Sequence, residues 1–162
     1  MQFRNLDLVA SVKAALKQSG LPAHRLELEI TESVLLQNSD STRAMLLEIR
    51  ELGVKISLDD FGTGYSSLSY LRSFPFDKIK IDRSFVSELD TREDSLAIIR
   101  AVTGLGRSLG ITTTAEGVET DAQLDVLTRE GCTQVQGYLI SKPRPIADVE
   151  HMLIEPRRSA VA

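Results

Sequence analysis

The chain is 162 residues long, 42% apolar, 26% charged and 5% aromatic, with no Trp; this is a globular composition with enough length for one domain and a core of its own. No low-complexity tract points to disorder, and no run approaches the roughly 18 uncharged apolar residues of a membrane span. Net charge is −4 with Lys and Arg scattered, which argues against a DNA or RNA polymer as partner, because binding the phosphate backbone needs a basic face.

Residues 6–19 read as an amphipathic helix, with Leu8, Val9, Val12 and Leu16 three or four apart and Gly20 as its stop. Residues 25–30 alternate polar and apolar like a strand. Residues 39–52 are helical, with Ser39 or Asp40 as cap and Gly53 just past the end. A strand at 54–58 leads into the Gly-rich loop Phe61-Gly62-Thr63-Gly64-Tyr65 and a short helix at 66–72. Strand 77–81 precedes a long helix, 95–109, closed by Gly110. Strand 111–115, helix 121–130, strand 133–140 and a last helix from Pro145 towards Pro156 complete the pattern. Strict alternation of β and α predicts a parallel sheet, either open and doubly wound or part of a (β/α)8 barrel. No linker divides the chain, so residues 1–162 are expected to form a single domain. Cys132, with no Cys or His at ligand spacing, reads as a small buried residue. The first residues lack the apolar core of a signal peptide, so the expected compartment is the cytoplasm, compatible with a membrane-anchored parent protein.

In both architectures chemistry gathers where the parallel strands end. The first strand ends in Glu29-Ile30-Thr31-Glu32 and the second in Asp59-Asp60. The third carries Lys80 and Asp82, the fourth ends in Glu116 with Glu119 three residues on, and the fifth carries Gln136. Two like charges about 4 Å apart cost on the order of 1–4 kcal/mol, so such a rim needs compensation. Lys80 supplies one positive charge, and one or two divalent ions would supply the rest. All-oxygen ligands select Mg²⁺, Mn²⁺ or Ca²⁺ over zinc, and paired hard ions are a known means of phosphate-ester cleavage. Singly, each group has a plainer reading: Asp59-Asp60 as a turn cap, Glu116 as a partner of the next helix, Lys80 snorkelling to solvent. His24 and His151 lie away from these ends, and Ser66 and Ser67 have no positioned His, so neither His catalysis nor a Ser–His–Asp triad is expected. A Schiff-base role for Lys80 is disfavoured, because neighbouring acids hold the amine charged.

Five segments carry a resemblance: Glu29-Ile30-Thr31-Glu32-Ser33; Asp59-Asp60-Phe61-Gly62-Thr63-Gly64-Tyr65-Ser66-Ser67; Lys80-Ile81-Asp82-Arg83-Ser84-Phe85-Val86; Ala115-Glu116-Gly117-Val118-Glu119-Thr120; and Gln136-Gly137-Tyr138, closed by Ser141-Lys142-Pro143. Over about residues 2–155 the chain resembles the EAL family, bacterial phosphodiesterases that hydrolyse cyclic di-GMP to pGpG. The resemblance implies a (β/α)8-type barrel. It also implies Mg²⁺ or Mn²⁺, one or two ions, held by Glu29, Asp59 and Glu116, with Asp60 joining for the second. Lys80 would orient the attacking water and meet the phosphate. Glu119 and Gln136 would lie next to the ligands or the substrate, Asp82 beside the metals, and Glu32 would pin the Gly-rich loop.

A full barrel of this type takes about 250 residues, so the chain is expected to be the C-terminal two-thirds of the domain, an incomplete barrel of about five strand–helix units. No Glu-Ala-Leu occurs in it. Three expectations follow: open sheet edges and an uncovered apolar interior, association into a homodimer or swapped oligomer, and little hydrolysis by this chain alone. The rival reading is a non-catalytic cyclic di-GMP-binding or protein-interaction module. Sensor or GGDEF modules often accompany the domain in full-length relatives.

Overall fold

The computed structural model describes residues 8–32, 34, 39–62, 71, 74–89 and 91–149. Five strands, β1 (Glu27–Thr31), β2 (Lys55–Phe61), β3 (Lys78–Ile81), β4 (Thr112–Glu116) and β5 (Gln134–Gln136), form one sheet in sequence order. Every pairing is parallel. The helices are α1 (Leu8–Ser19), α2 (Ser39–Glu51), α3 (Arg83–Ser87), α4 (Glu93–Leu109) and α5 (Asp121–Arg129).

Side chains alternate between the faces of a strand, and here the alternation separates two chemistries. On one face Ile30, Ile56, Leu58, Ile79, Ile81 and Ala115 are almost wholly buried. They pack against Leu46 of α2, Val86 of α3, Ile99 and Val102 of α4 and Leu127 of α5. At about 1.5–3 kcal/mol for each large apolar side chain buried, this face supplies most of the driving force. A smaller cluster of Val12, Ile49 and Val54 seats α1 against α2.

The opposite face carries Glu27 and Glu29 of β1, Ser57 and Asp59 of β2, Lys78 and Lys80 of β3, Thr112, Thr114 and Glu116 of β4, and Gln134 and Gln136 of β5. The expectation of an uncovered apolar interior is therefore corrected. The strands look continuously apolar only when the core residues are read without their alternate neighbours, and those neighbours are charged, hydroxyl or amide side chains.

Three boundaries differ from the sequence reading. β2 runs on to Phe61, so Asp59 and Asp60 lie inside the strand and Phe61, expected to open the Gly-rich loop, is its last residue. β5 is three residues long because Gly137 already leaves the strand to lie on the backbone of Val118, where a Cβ would fall 2.1 Å from the Val118 carbonyl oxygen. Helix α3 was not anticipated; its signal is Asp82, whose carboxylate accepts the Ser84 N–H as an N-cap. The expected helix at 66–72 falls outside the described residues except for Leu71, and of the last expected helix residues 146–149 are described and helical.

Candidate functional site

The centre of the polar face is Lys80. It lies in the middle of the sheet on β3 and is 6% exposed, so it does not snorkel to solvent. Its ammonium is 2.6 Å from Glu116 Oε1, 2.9 Å from Glu29 Oε1 and 2.9 Å from Asp59 Oδ1. The sheet brings these four together from four strands. Period-2 alternation puts Lys80 on the same face as Glu29, Asp59 and Glu116, and strand spacing of about 4.8 Å puts the partners within reach of a long side chain.

A second lysine repeats the pattern one pleat lower. Lys78 Nζ lies 2.8 Å from Glu27 Oε2. Lys78–Glu27 and Lys80–Glu29 thus form two rungs, each crossing β2 from β3 to β1. Between them sits Ser57, fully buried, its hydroxyl without a hydrogen bond among the described residues. The sequence reading missed this lower rung, although Glu27-Leu28-Glu29 and Lys78-Ile79-Lys80 carry its signal in their matching spacing.

Asp60 reaches the rim by a different route. Consecutive strand residues normally face opposite ways, yet one oxygen each of Asp59, Asp60 and Glu116 lie within 4.8 Å of one another. The register of β2 shifts between Leu58 and Phe61, and Asp60 adopts a left-handed φ of 54°. Asp is among the few non-glycine residues that tolerate this conformation, at a cost of order 1–3 kcal/mol. The bulge turns the second carboxylate towards the first.

The electrostatics follow from the crowding. Burial lowers the pKa of Lys80, but contact with Glu116, Glu29 and Asp59 outweighs it, and the net shift is upward. The ammonium is therefore retained, the reverse of what an amine nucleophile needs. Partial burial, followed by the charges of Asp59 and Asp82, pushes the Asp60 carboxyl above its ordinary range, while Lys80 draws it back. Burial would raise Asp82 too, but hydrogen bonds from the Ser84 hydroxyl and backbone hold it below the ordinary carboxylate value. Asp82 thus acts as the cap of α3, close enough for its charge to be felt by Asp60.

The other expected residues are spread along the same rim. Gln136 pairs in register with Glu116 and is exposed. Glu119 is exposed in the loop after β4, its N–H donating to Gln123 Oε1 at 2.8 Å. Glu32 directly follows β1 and is half-buried; the loop it was expected to pin lies outside the described residues from Thr63 onward. Cys132 is partly buried against the core, and His24 is exposed in the turn Ala23–Arg25.

The donor set fits a hard divalent cation. All the oxygens come from carboxylates, and Asp59 Oδ1 is buried against the Lys80 ammonium at 2.9 Å, so the cluster already gathers about a positive charge. Mg²⁺-like ions hold oxygens at about 2.1 Å and hence at most about 4.2 Å apart; the Asp59–Asp60–Glu116 cluster is within a small side-chain adjustment of that spacing.

The EAL domain family model matches residues 1–143. The chain belongs to the EAL domain family. It is 48% identical over 146 residues to the cyclic di-GMP phosphodiesterase NbdA of Pseudomonas aeruginosa, a match covering 90% of this chain and 19% of that protein. Among solved structures it is similar to the PaMucR phosphodiesterase in complex with c-di-GMP, at 45% identity and a TM-score of 0.88, covering 91% of this chain and 60% of that one. A manganese and c-di-GMP complex of Klebsiella pneumoniae BlrP1 is similar at 36% identity and a TM-score of 0.81, covering 87% of this chain and 36% of that one. The chain spans about a fifth of the length of the curated relatives it matches. The EAL likeness decides the architecture that periodicity left open: the five parallel strands are a partial (β/α)8-type barrel, not an open doubly wound sheet. Among the described residues no helix is long and apolar enough to cross a membrane.

Proposed function

We propose that this EAL chain carries the metal-and-lysine part of a cyclic di-GMP phosphodiesterase site, which cleaves one phosphodiester to give pGpG. The single observation that supports it most is Lys80, buried and in contact with Glu29, Asp59 and Glu116 beside the Asp59–Asp60–Glu116 cluster. Asp59, Asp60 and Glu116, with Glu29 alongside, would hold Mg²⁺ or Mn²⁺. The ion would supply Lewis-acid activation of the phosphodiester and of a water. Lys80 holds the carboxylates in a common cluster and offers a fixed positive charge to the phosphate. Gln136, Glu119 and Asp82, on the surrounding rim, are assigned to positioning the substrate and the ligands, and Glu32 to holding the Gly-rich loop. Residues 1–162 are taken as one such domain, with a homodimer or swapped oligomer as its assembly and the cytoplasm as its compartment. The assembly has support from β1 and β5, each paired on one side only among the described residues.

Titration of Mn²⁺ and then cyclic di-GMP, with chromatography of products, tests this reading. Metal-dependent nucleotide binding with little pGpG from this chain alone is expected, and Asp59→Asn should abolish the metal step. Binding that needs no metal and gives no product would leave the receptor reading in place of the enzyme, and rapid turnover to pGpG would overturn the expectation of little hydrolysis. Absence of both Mn²⁺ and cyclic di-GMP binding would overturn the proposal. Sedimentation showing a well-folded monomer at micromolar concentration would overturn the assembly.

A further inference from the structure

Gln123 is a nearly buried polar side chain, 9% exposed, on the first turn of α5. Its amide makes more connections than a helix cap needs. Oε1 accepts the backbone N–H of Glu119 at 2.8 Å and of Thr120 at 3.1 Å. Nε2 donates to the carbonyl of Val86, the fourth residue of α3, at 3.3 Å. The bond to Thr120 belongs to a capping box, completed by Thr120 Oγ1 accepting the Gln123 N–H. The other two bonds link the peptide that follows β4 to the helix that follows β3.

Those two segments continue directly from the residues of the site. Asp82 caps α3 two residues after Lys80. Glu119 lies three residues after Glu116. The same loop is packed tightly elsewhere: Gly117 has φ 70°, and a Cβ there would fall 2.6 Å from the Arg83 side chain. Val118 donates to the Gln136 carbonyl at 3.1 Å and accepts from Leu139 at 3.0 Å. The loop that follows Glu116 is thus held by β5 on one side and by α3 on the other, and Gln123 provides the hydrogen-bonded link on the α3 side.

We propose that Gln123 is a positioning residue: by tying Glu119 and Thr120 to Val86 it fixes the Glu116 strand end relative to the Lys80–Asp82 segment and so sets the spacing of the cation site. This rests on the metal-site reading above. Supporting groups of this kind change metal affinity by roughly 10–100-fold when removed.

The test compares Gln123→Ala with Thr120→Ala. Both disrupt the cap of α5, but Thr120→Ala leaves Gln123's bonds to Glu119 and Val86 in place. Two readouts are used on each folded variant, amide hydrogen exchange without metal and Mn²⁺ affinity. Gln123→Ala is expected to lose protection at the Glu119 amide and to bind Mn²⁺ about 10-fold more weakly. Thr120→Ala is expected to keep both close to the parent while lowering the unfolding midpoint. Equal losses in the two variants, or unchanged Mn²⁺ affinity in Gln123→Ala, would overturn the proposal. Should Gln123→Ala fail to fold, Gln123→Glu decides, since it keeps both acceptor bonds and the cap but cannot donate to Val86. Weaker Mn²⁺ binding than Thr120→Ala supports the bridge, and binding equal to Thr120→Ala overturns it. A parent chain that binds no Mn²⁺ would defeat the phosphodiesterase reading instead, with the exchange data still deciding whether Gln123 holds the loop.

Discussion

The two faces of the sheet are built from the same strands and do opposite things. Ile79 and Ile81 of β3 are wholly buried under the helices, whereas Lys78 and Lys80, interleaved with them, face four carboxylates of neighbouring strands. The helix-covered face gains stability from every group it buries. The polar face gathers three carboxylates about the Lys80 ammonium, a crowding of like charge that a cation would offset. Stability and chemistry are thereby separated by a single residue step along each strand.

The largest break in this comparison is expected from the apolar side. Ile79→Ala removes a wholly buried side chain at the centre of the sheet and should cost about 2–5 kcal/mol in chemical denaturation, by the same amount with or without Mn²⁺. A mutant that lost stability only in the absence of metal would contradict the division between the faces.

On the polar side, Lys80→Met removes the ammonium from Glu29, Asp59 and Glu116. Because those carboxylates keep some solvent contact, a loss of about 1–3 kcal/mol is expected in EDTA, below the range for a fully buried pair. Millimolar Mn²⁺ should recover part of it, since the ion replaces the missing charge. No gain from Mn²⁺ in the variant would sink the idea that lysine and cation offset the same repulsion.

A smaller effect concerns Asp60, whose carboxyl is raised in the folded state. A raised carboxyl binds its proton more tightly folded than unfolded, so its contribution falls as pH rises through the carboxylate range. Asp60→Asn should therefore raise the thermal midpoint of the metal-free protein slightly at pH 7. The gain should vanish in acid, where Asp60 is protonated. The same variant should lose the stabilisation that Mn²⁺ confers. A neutral-pH midpoint below that of the parent would show that the bulge, not the charge, dominates at this position.

The smallest effect belongs outside both faces. Arg100 makes a two-pronged ion pair with Glu130 between α4 and α5, at 2.8 and 2.9 Å, but its side chain is 61% exposed. Exposed pairs of this kind contribute little, and Arg100→Ala should leave both the unfolding midpoint and Mn²⁺ binding where they were.

Much of this molecule was legible in its residue order. The switch between periods of two and about 3.6 located each strand to within a few residues and most of the helices, and the acids at the strand ends pointed to a shared cation before any geometry was known. Motif similarity supplied the barrel, which periodicity had left open. Three features needed the folded chain. The lower Lys78–Glu27 rung is a cross-strand contact, so it depends on register, and register is a property of pairs of strands. The joint placement of Asp59 and Asp60 depends on a bulge and a left-handed residue, which local propensity does not announce because Asp tolerates that conformation without requiring it. Gln123 could be recognised as half of a Thr-x-x-Gln capping box, but its bond to Val86 joins residues 37 apart in sequence. What the sequence determines alone is which residues alternate and which are charged. Which of those charges meet is set by strand order and register, because contact energies act through space and only the packed sheet decides which side chains share it.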